Sequence, residues 1–292
     1  MYWNNKFVLA VLALLFFSKS INAQIGKEIE KGIFLLQVFD SNEKLIRSGT
    51  GYFIDKQGSG VTHSDFLIGA SSARVLTADS SVHQVVRIVA EDPFTGMVKV
   101  SIDNNLTTAF TVLPVAPANI TKEAKLKGVT ALADNKYKTQ PIALAETETI
   151  EEYGPIATMS GGASEGMVIL DQNNKVIGIS SSKVPSVIIS ALRADKMISR
   201  NLPLKTYATD INNPEDFLNG LKAFTIADHK TVASAMDKTT AKLDKSAAPF
   251  LLAASAYMEL QNFEAAESNL DKALNINPNL VSAKKKRAEI YY

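Results

Sequence analysis

The stretch Ser160-Gly161-Gly162-Ala163-Ser164-Glu165-Gly166-Met167 runs into Val168-Ile169-Leu170-Asp171, a polar turn Gln172-Asn173-Asn174-Lys175, and Val176-Ile177-Gly178-Ile179. This is the layout of a glycine-rich loop, a strand, a tight turn and a second strand. A serine in such a loop is placed as many hydrolases place a nucleophile, but a serine hydroxyl needs a base to become one. The chain holds three histidines, His63, His83 and His229, and no cysteine. Any histidine-dependent mechanism therefore uses one of these three. Thiol nucleophiles, disulfides and zinc–thiolate sites are excluded.

Upstream of the loop, β signals recur at short intervals: residues 32–39, 49–55, 73–76, 84–89, 96–102, 109–112, 128–132 and 139–144. β-branched and aromatic residues dominate these runs, with Gly, Asn, Asp and Pro between them. Short strands with turn chemistry at regular spacing predict a sandwich or barrel rather than βαβ units. Near Asn212-Asn213-Pro214 the texture changes. Residues 215–243 carry apolar side chains at helical spacing (Phe217, Leu221, Phe224), and residues 249–292 are alanine-rich and helical in pattern.

At the other end, Lys6 precedes an apolar run over residues 7–17, and a polar stretch follows that ends in Ala23. The run is short of the roughly 20 residues that span a bilayer. The pattern is that of a signal peptide over residues 1–23, with an uncleaved anchor as the competing reading. An exported chain, periplasmic or secreted, with no membrane span after signal removal, is expected. Of 292 residues, 46% are hydrophobic and 21% charged, and the net charge is +1. That balance suits a soluble globular chain and gives no overall attraction to nucleic acid.

Three segments, in order, resemble bacterial trypsin-like serine proteases of the Deg/HtrA type. Gly49-Thr50-Gly51-Tyr52-Phe53-Ile54-Asp55 is similar to the family's Gly-Ser-Gly-Phe-Ile-Ile-Asp strand. Residues 88–98, with Asp92-Pro93-Phe94-Thr95-Gly96, are similar to the strand that ends in Asp-Pro-x-Thr-Asp-Leu-Ala. The 160–167 loop and Val176-Ile177-Gly178-Ile179 are similar to the family's Gly-Asn-Ser-Gly-Gly-Pro loop and following hairpin. The resemblance implies a mainly β double-barrel (trypsin-like) domain, placed at residues 24–205, in which a serine attacks a carbonyl, a histidine takes its proton and an aspartate orients that histidine.

The catalytic positions depart from that pattern. The motif Leu-Thr-x-x-His-Val-Val-x-Gly-Ala aligns with residues 61–70 through Thr62, Gly69 and Ala70, which puts Asp65 at the general-base position. His63 falls two residues early. Along an extended strand that shift keeps the face but moves the side chain by roughly 6–7 Å. His63 is therefore read as a surface histidine, with a replacement base as the alternative. The orienting-acid position is Gly96, and only Ser164 matches, as nucleophile. The oxyanion loop would be Gly162, Ala163 and Ser164, but Glu165 and Met167 stand where the family has glycine and proline. A carboxylate beside the hole opposes a developing negative charge. An aspartate, with an ordinary pKa of about 3.9, is a poor base at neutral pH. His83 and His229 lack partners at ligand-like spacing, so no metal is expected. The glycine loop lacks the lysine and helix of a phosphate loop, so no cofactor is expected.

Residues 247–280 resemble one tetratricopeptide repeat, with Ala254, Tyr257, Ala266, Leu270, Ala273 and Pro278 at the small, aromatic and closing positions. Residues 281–292 read as the first helix of a further repeat, which makes 247–292 a helix-turn-helix repeat unit and 206–246 a helical connector. A single repeat is short of the roughly three needed for independent stability. The connector is expected to stack on it, or the last helix to act as a cap. Together these features predict an exported, catalytically degenerate domain that binds a polypeptide or protein partner. The enzyme alternative is an active serine endopeptidase using Ser164 with His63 or Asp65.

Overall fold

Strand β1 (Ile33–Phe39) is buried on both faces, and this double burial organises the domain. A computed structural model describes residues 26–103, 109–117, 120–161, 164–209, 211 and 214–292. Side chains alternate along a strand, so one face of β1 sends Phe34, Leu36 and Val38 into a first barrel core. The other face sends Ile33 and Leu35 into a second core shared with the rest of the molecule. Strand β2 (Leu45–Phe53) pairs antiparallel with β1, followed by β3 (Ser59–His63), β4 (Ser72–Leu76), β5 (Val82–Asp92) and β6 (Met97–Ile102). The order β5-β4-β1-β2-β3-β6 closes into a barrel through an added β5–β6 pairing, and β14 (Ile198–Pro203) extends it beside β5.

The second sheet contains β7 (Leu126–Leu132), β8 (Lys136–Ile142), β9 (Leu144–Ile150), β10 (Gly154–Met159), β11 (Val168–Leu170), β12 (Val176–Ser180) and β13 (Val187–Ser190). Its order is β8-β7-β11-β12-β13-β10-β9. The two end strands are joined by Ala143 alone, so the backbone itself carries the sheet round into a second barrel. Met167, Ile169 and Ile177 fill it, while Val168, Leu170 and Ile179 face the first barrel. This is the double-barrel arrangement that the resemblance implied. The polar turn between β11 and β12 is held by Asp171, whose carboxylate accepts the N–H groups of Asn173 and Lys175, both at 2.8 Å.

The run at 109–112 is not a strand. It belongs to the link between the barrels, which is interrupted by Pro114, a residue with no N–H to give a ladder. Ala109 and Val112 are exposed, and Phe110 is buried. Phe110 stacks on Phe53 with ring centroids 4.4 Å apart, and Leu113 enters the shared core.

Helix α1 (Lys27–Glu30) precedes β1, and α2 (Leu204–Tyr207) follows β14. Helices α3 (Glu215–Thr225), α4 (His229–Thr240), α5 (Ala247–Glu259), α6 (Phe263–Ile276) and α7 (Val281–Ile290) then stack in sequence. Helix α5 is apolar almost all round because α4 and α6 cover both of its sides. Ala254, Leu270, Ala273, Leu280 and Ala283 form a small core at the end of the stack. Phe217 of α3 packs on Phe94 of the first barrel and Tyr153 of the second, with centroids 5.2 and 5.3 Å away. Among the described residues no helix is long and apolar enough to cross a membrane. The expected signal peptide lies outside the described residues.

Candidate functional site

Strand β3 stops at His63, and residues Ser64–Leu67 form one 3-10 turn. The Ser64 N–H donates to the Gly96 carbonyl at 2.7 Å, which pins this turn to the start of β6. The turn overturns two expectations. His63 is not a surface histidine: it is fully buried. Nor does a strand separate it from Asp65 by two extended steps. The tight turn folds both side chains into one cluster, with His63 Nδ1 3.5 Å from Asp65 Oδ2.

A third side chain joins them from the opposite barrel. The Ser182 hydroxyl, just past β12, lies 2.9 Å from His63 Nδ1 and also donates to Asp65 Oδ2. A hydroxyl has one proton to give. The carboxylate takes that proton, the Asp65 backbone N–H approaches the same Nδ1 at 3.5 Å, and His63 Nε2 is buried without a hydrogen-bond partner among the described residues. Lys183 Nζ stands 3.9 Å from Asp65 Oδ1, and Arg47 Nη1 donates to the Asp65 backbone carbonyl at 2.5 Å. Burial pushes the imidazole pKa of His63 down to about 4. The Asp65 charge and a backbone hydrogen bond with Thr95 oppose that shift, and Lys183 adds to it.

Gly96, at the orienting-acid position, has φ +73°, and a Cβ built there would lie 2.7 Å from His63 Cε1 and 2.9 Å from Ser64 Oγ. The imidazole thus occupies the space into which a side chain at 96 would project. Nothing at this position can orient a base, and its backbone suits glycine.

Ser164 is half-buried, and its carbonyl accepts from Ser180 Oγ at 2.8 Å. Ser180 Oγ also accepts the Met167 N–H at 2.8 Å, so the loop is tied down by β12. Among the described residues, the Ser164 hydroxyl has no hydrogen bond with His63 or Asp65. Gly162 and Ala163 of the proposed oxyanion loop lie outside the described residues. Met167 points into the second barrel and is fully buried, whereas Glu165 is exposed. Gly166 has φ +63°, and its missing Cβ leaves room for Phe66, whose Cζ would be 2.5 Å away. The 3-10 turn that carries Asp65 therefore also lays an aromatic ring against the serine loop.

Behind the cluster, Asp92 is held by Arg193 from the far barrel: Nε to Oδ2 at 2.7 Å and Nη2 to Oδ1 at 3.0 Å. Thr95 Oγ1 donates to Asp92 Oδ2 at 2.9 Å. Both charged groups are buried, and the paired hydrogen bonds to Asp92 raise the Arg193 pKa against the opposing effect of burial. This two-pronged pair ties the end of β5 to the turn after β13. Sequence reasoning missed Ser182, Lys183 and Arg193. Ser182 and Lys183 stood in plain view in the polar run after β12. Arg193 had no local signal.

The arrangement contains an imidazole, a carboxylate and a hydroxyl in mutual contact, but the hydroxyl belongs to Ser182. Among the described residues, neither the imidazole nor the carboxylate is hydrogen-bonded to Ser164: Ser182 engages His63 Nδ1 and Asp65 Oδ2, while His63 Nε2 and Asp65 Oδ1 are buried without a hydrogen-bond partner. Among the described residues no group of three or more His, Cys, Asp or Glu side chains is placed to hold a metal ion.

Among solved structures, the chain is similar to the crystal structure of Deg5, at 12% identity and a TM-score of 0.48, over 63% of this chain and 90% of that one. It is also similar to the crystal structure of the active form of the Rv3671c protease from M. tuberculosis, at 16% identity and a TM-score of 0.46, over 57% of this chain and 79% of that one. No family model matches the sequence, and no curated protein matches it.

Proposed function

We propose that this chain is an exported pseudoprotease: a double-barrel domain that binds polypeptide without cleaving it, joined to a tetratricopeptide-like unit that serves as a second protein contact. The observation that carries this reading is the Ser182 hydroxyl, which engages both His63 Nδ1 and the Asp65 carboxylate. Among the described residues, the Ser164 hydroxyl is hydrogen-bonded to neither group, which supports this reading. A serine hydroxyl in that state is a weak nucleophile. Gly96 removes the orienting acid, and Phe66 lies against the serine loop. For the helical unit, support comes from Ala254, Ala266 and Ala273, all fully buried where α5 and α6 meet. Small residues there let paired helices approach closely. Export rests on the apolar run at residues 7–17.

A serine endopeptidase with a non-standard base is the second reading. It is favoured by one observation: His63 and Asp65 do come together, 3.5 Å apart, as an imidazole–carboxylate pair must. Incubation with an unfolded polypeptide such as reduced casein separates the two. The pseudoprotease retains casein on a column of immobilised protein and leaves its length unchanged. Shortened casein, with that activity lost in Ser164→Ala, establishes the endopeptidase instead.

A further inference from the structure

The helical unit is bound to the second barrel at a place that leads, contact by contact, to His63. At the β9–β10 turn, the Glu151 carboxylate accepts the first N–H groups of α7, from Val281 at 3.1 Å and Ser282 at 2.7 Å. These are donors that a helix leaves unsatisfied, and an anion suits them. The Ser282 contacts, above all, hold the Glu151 carboxyl below its ordinary range. Beside it, Asn277 Nδ2 donates to Glu152 Oε1 at 2.5 Å.

The next residue is Tyr153. Its ring lies 4.6 Å under the Arg193 guanidinium, and its carbonyl accepts from Arg193 Nη1 at 3.1 Å. Arg193 in turn grips Asp92 with two bonds. The Asp92 carbonyl accepts the Thr95 and Gly96 N–H groups at 3.2 and 2.9 Å, and the Gly96 carbonyl accepts that of Ser64. Gly96 itself is packed against His63 Cε1. Tyr153, Arg193, Asp92, Thr95 and His63 are all buried. In an interior packed to crystal density there is little slack for such a chain to absorb a displacement.

We infer that the seating of α7 on the β9–β10 turn sets the position of the His63 imidazole, so that a partner displacing the helical unit is read in the cleft between the barrels. The two states are the turn with its carboxylates engaged by α7 and the turn released from it. The coupling is reciprocal: whatever moves His63 alters how tightly α7 is held. Spatial continuity alone does not establish coupling, which requires that both ends respond. The inference is independent of whether Ser164 cleaves anything.

The test uses the full chain labelled with nitrogen-15 at histidine, with the imidazole signals of His63 and His83 followed by NMR. Replacement of both Glu151→Ala and Glu152→Ala shifts the His63 signals and leaves His83, on the far side of the first barrel, in place. Glu151→Gln, which keeps an acceptor oxygen for Ser282, restores most of the His63 position. Glu146→Ala, which removes the exposed pair with Lys122 on the neighbouring strand β9, has no effect on His63. His63 signals that stay fixed in the double variant overturn the inference, whether or not the Ser282 amide becomes open to exchange. Equal shifts at His63 and His83 overturn it as well, since they report a general change rather than this path.

Discussion

His63 Nδ1 and the Ser182 hydroxyl lie 2.9 Å apart across the boundary between the two barrels. The bond has two consequences. It joins the end of β3 to the segment after β12, and it holds the imidazole by Nδ1, leaving Nε2 buried without a hydrogen-bond partner among the described residues. The same hydroxyl also binds Asp65 Oδ2, so one side chain links both of the groups that resemble catalytic machinery.

Removal of that hydroxyl measures the bond. Ser182→Ala leaves a buried imidazole nitrogen and a buried carboxylate oxygen each short of a partner, at a cost of about 1–3 kcal/mol. Urea denaturation at neutral pH reads this as a lower midpoint with an unchanged slope.

The burial of His63 predicts acid sensitivity. Its pKa falls from 6.5 to about 4 on folding. The unfolded chain therefore binds this proton more readily, and stability is lost as pH drops from about 6.5 toward 4, by on the order of 3 kcal/mol once the folded form also titrates. Above pH 7 the group contributes no pH dependence. Denaturation midpoints measured between pH 8 and 4 show this loss, and His63→Gln flattens the curve over that window.

Arg193 is predicted to be among the most sensitive positions in the chain. Arg193→Ala strands Asp92 as a buried charge, and breaking such a pair from one side costs about 3–5 kcal/mol. Arg193→Met together with Asp92→Leu, which removes both charges, recovers much of that loss. Thermal unfolding of the two variants, compared at one pH, checks the order.

An acid placed at Gly96 is expected to destabilise the chain without producing casein cleavage. Gly96→Asp places a side chain on a backbone with φ +73° and against His63 Cε1. The backbone alone costs about 1–3 kcal/mol. His63→Ala relieves the contact but not the torsion, so the double variant is more stable than Gly96→Asp alone and still inert toward casein. A double variant as unstable as the single one shows that the imidazole is not the obstacle.

Much of the fold was legible in the chain, because turn residues and alternating apolar runs mark strands wherever they fall. The nucleophile loop, the hairpin after it and the switch to helices near Pro214 each had a local signature. The site was legible only in part. Thr62, Gly69 and Ala70 fixed the register that places Asp65, but not the 3-10 turn that brings His63 back to it. That turn depends on a bond from Ser64 to Gly96, which no local pattern announces. Arg193 and Asp92 are 101 residues apart, and their pairing exists only once two barrels have closed. Residues 109–112 had the composition of a strand, but only Phe110 is buried there, in the first barrel's core, and Val112 is exposed.

A pseudoprotease requires that Ser164 have no base. A fluorophosphonate probe reads this out, because it reacts with an activated serine whatever the natural substrate is. The intact protein is expected to stay unlabelled at pH 7 to 9, as is Ser164→Ala. Covalent labelling that peptide mapping places on Ser164, and that disappears in His63→Gln or Asp65→Asn, contradicts it.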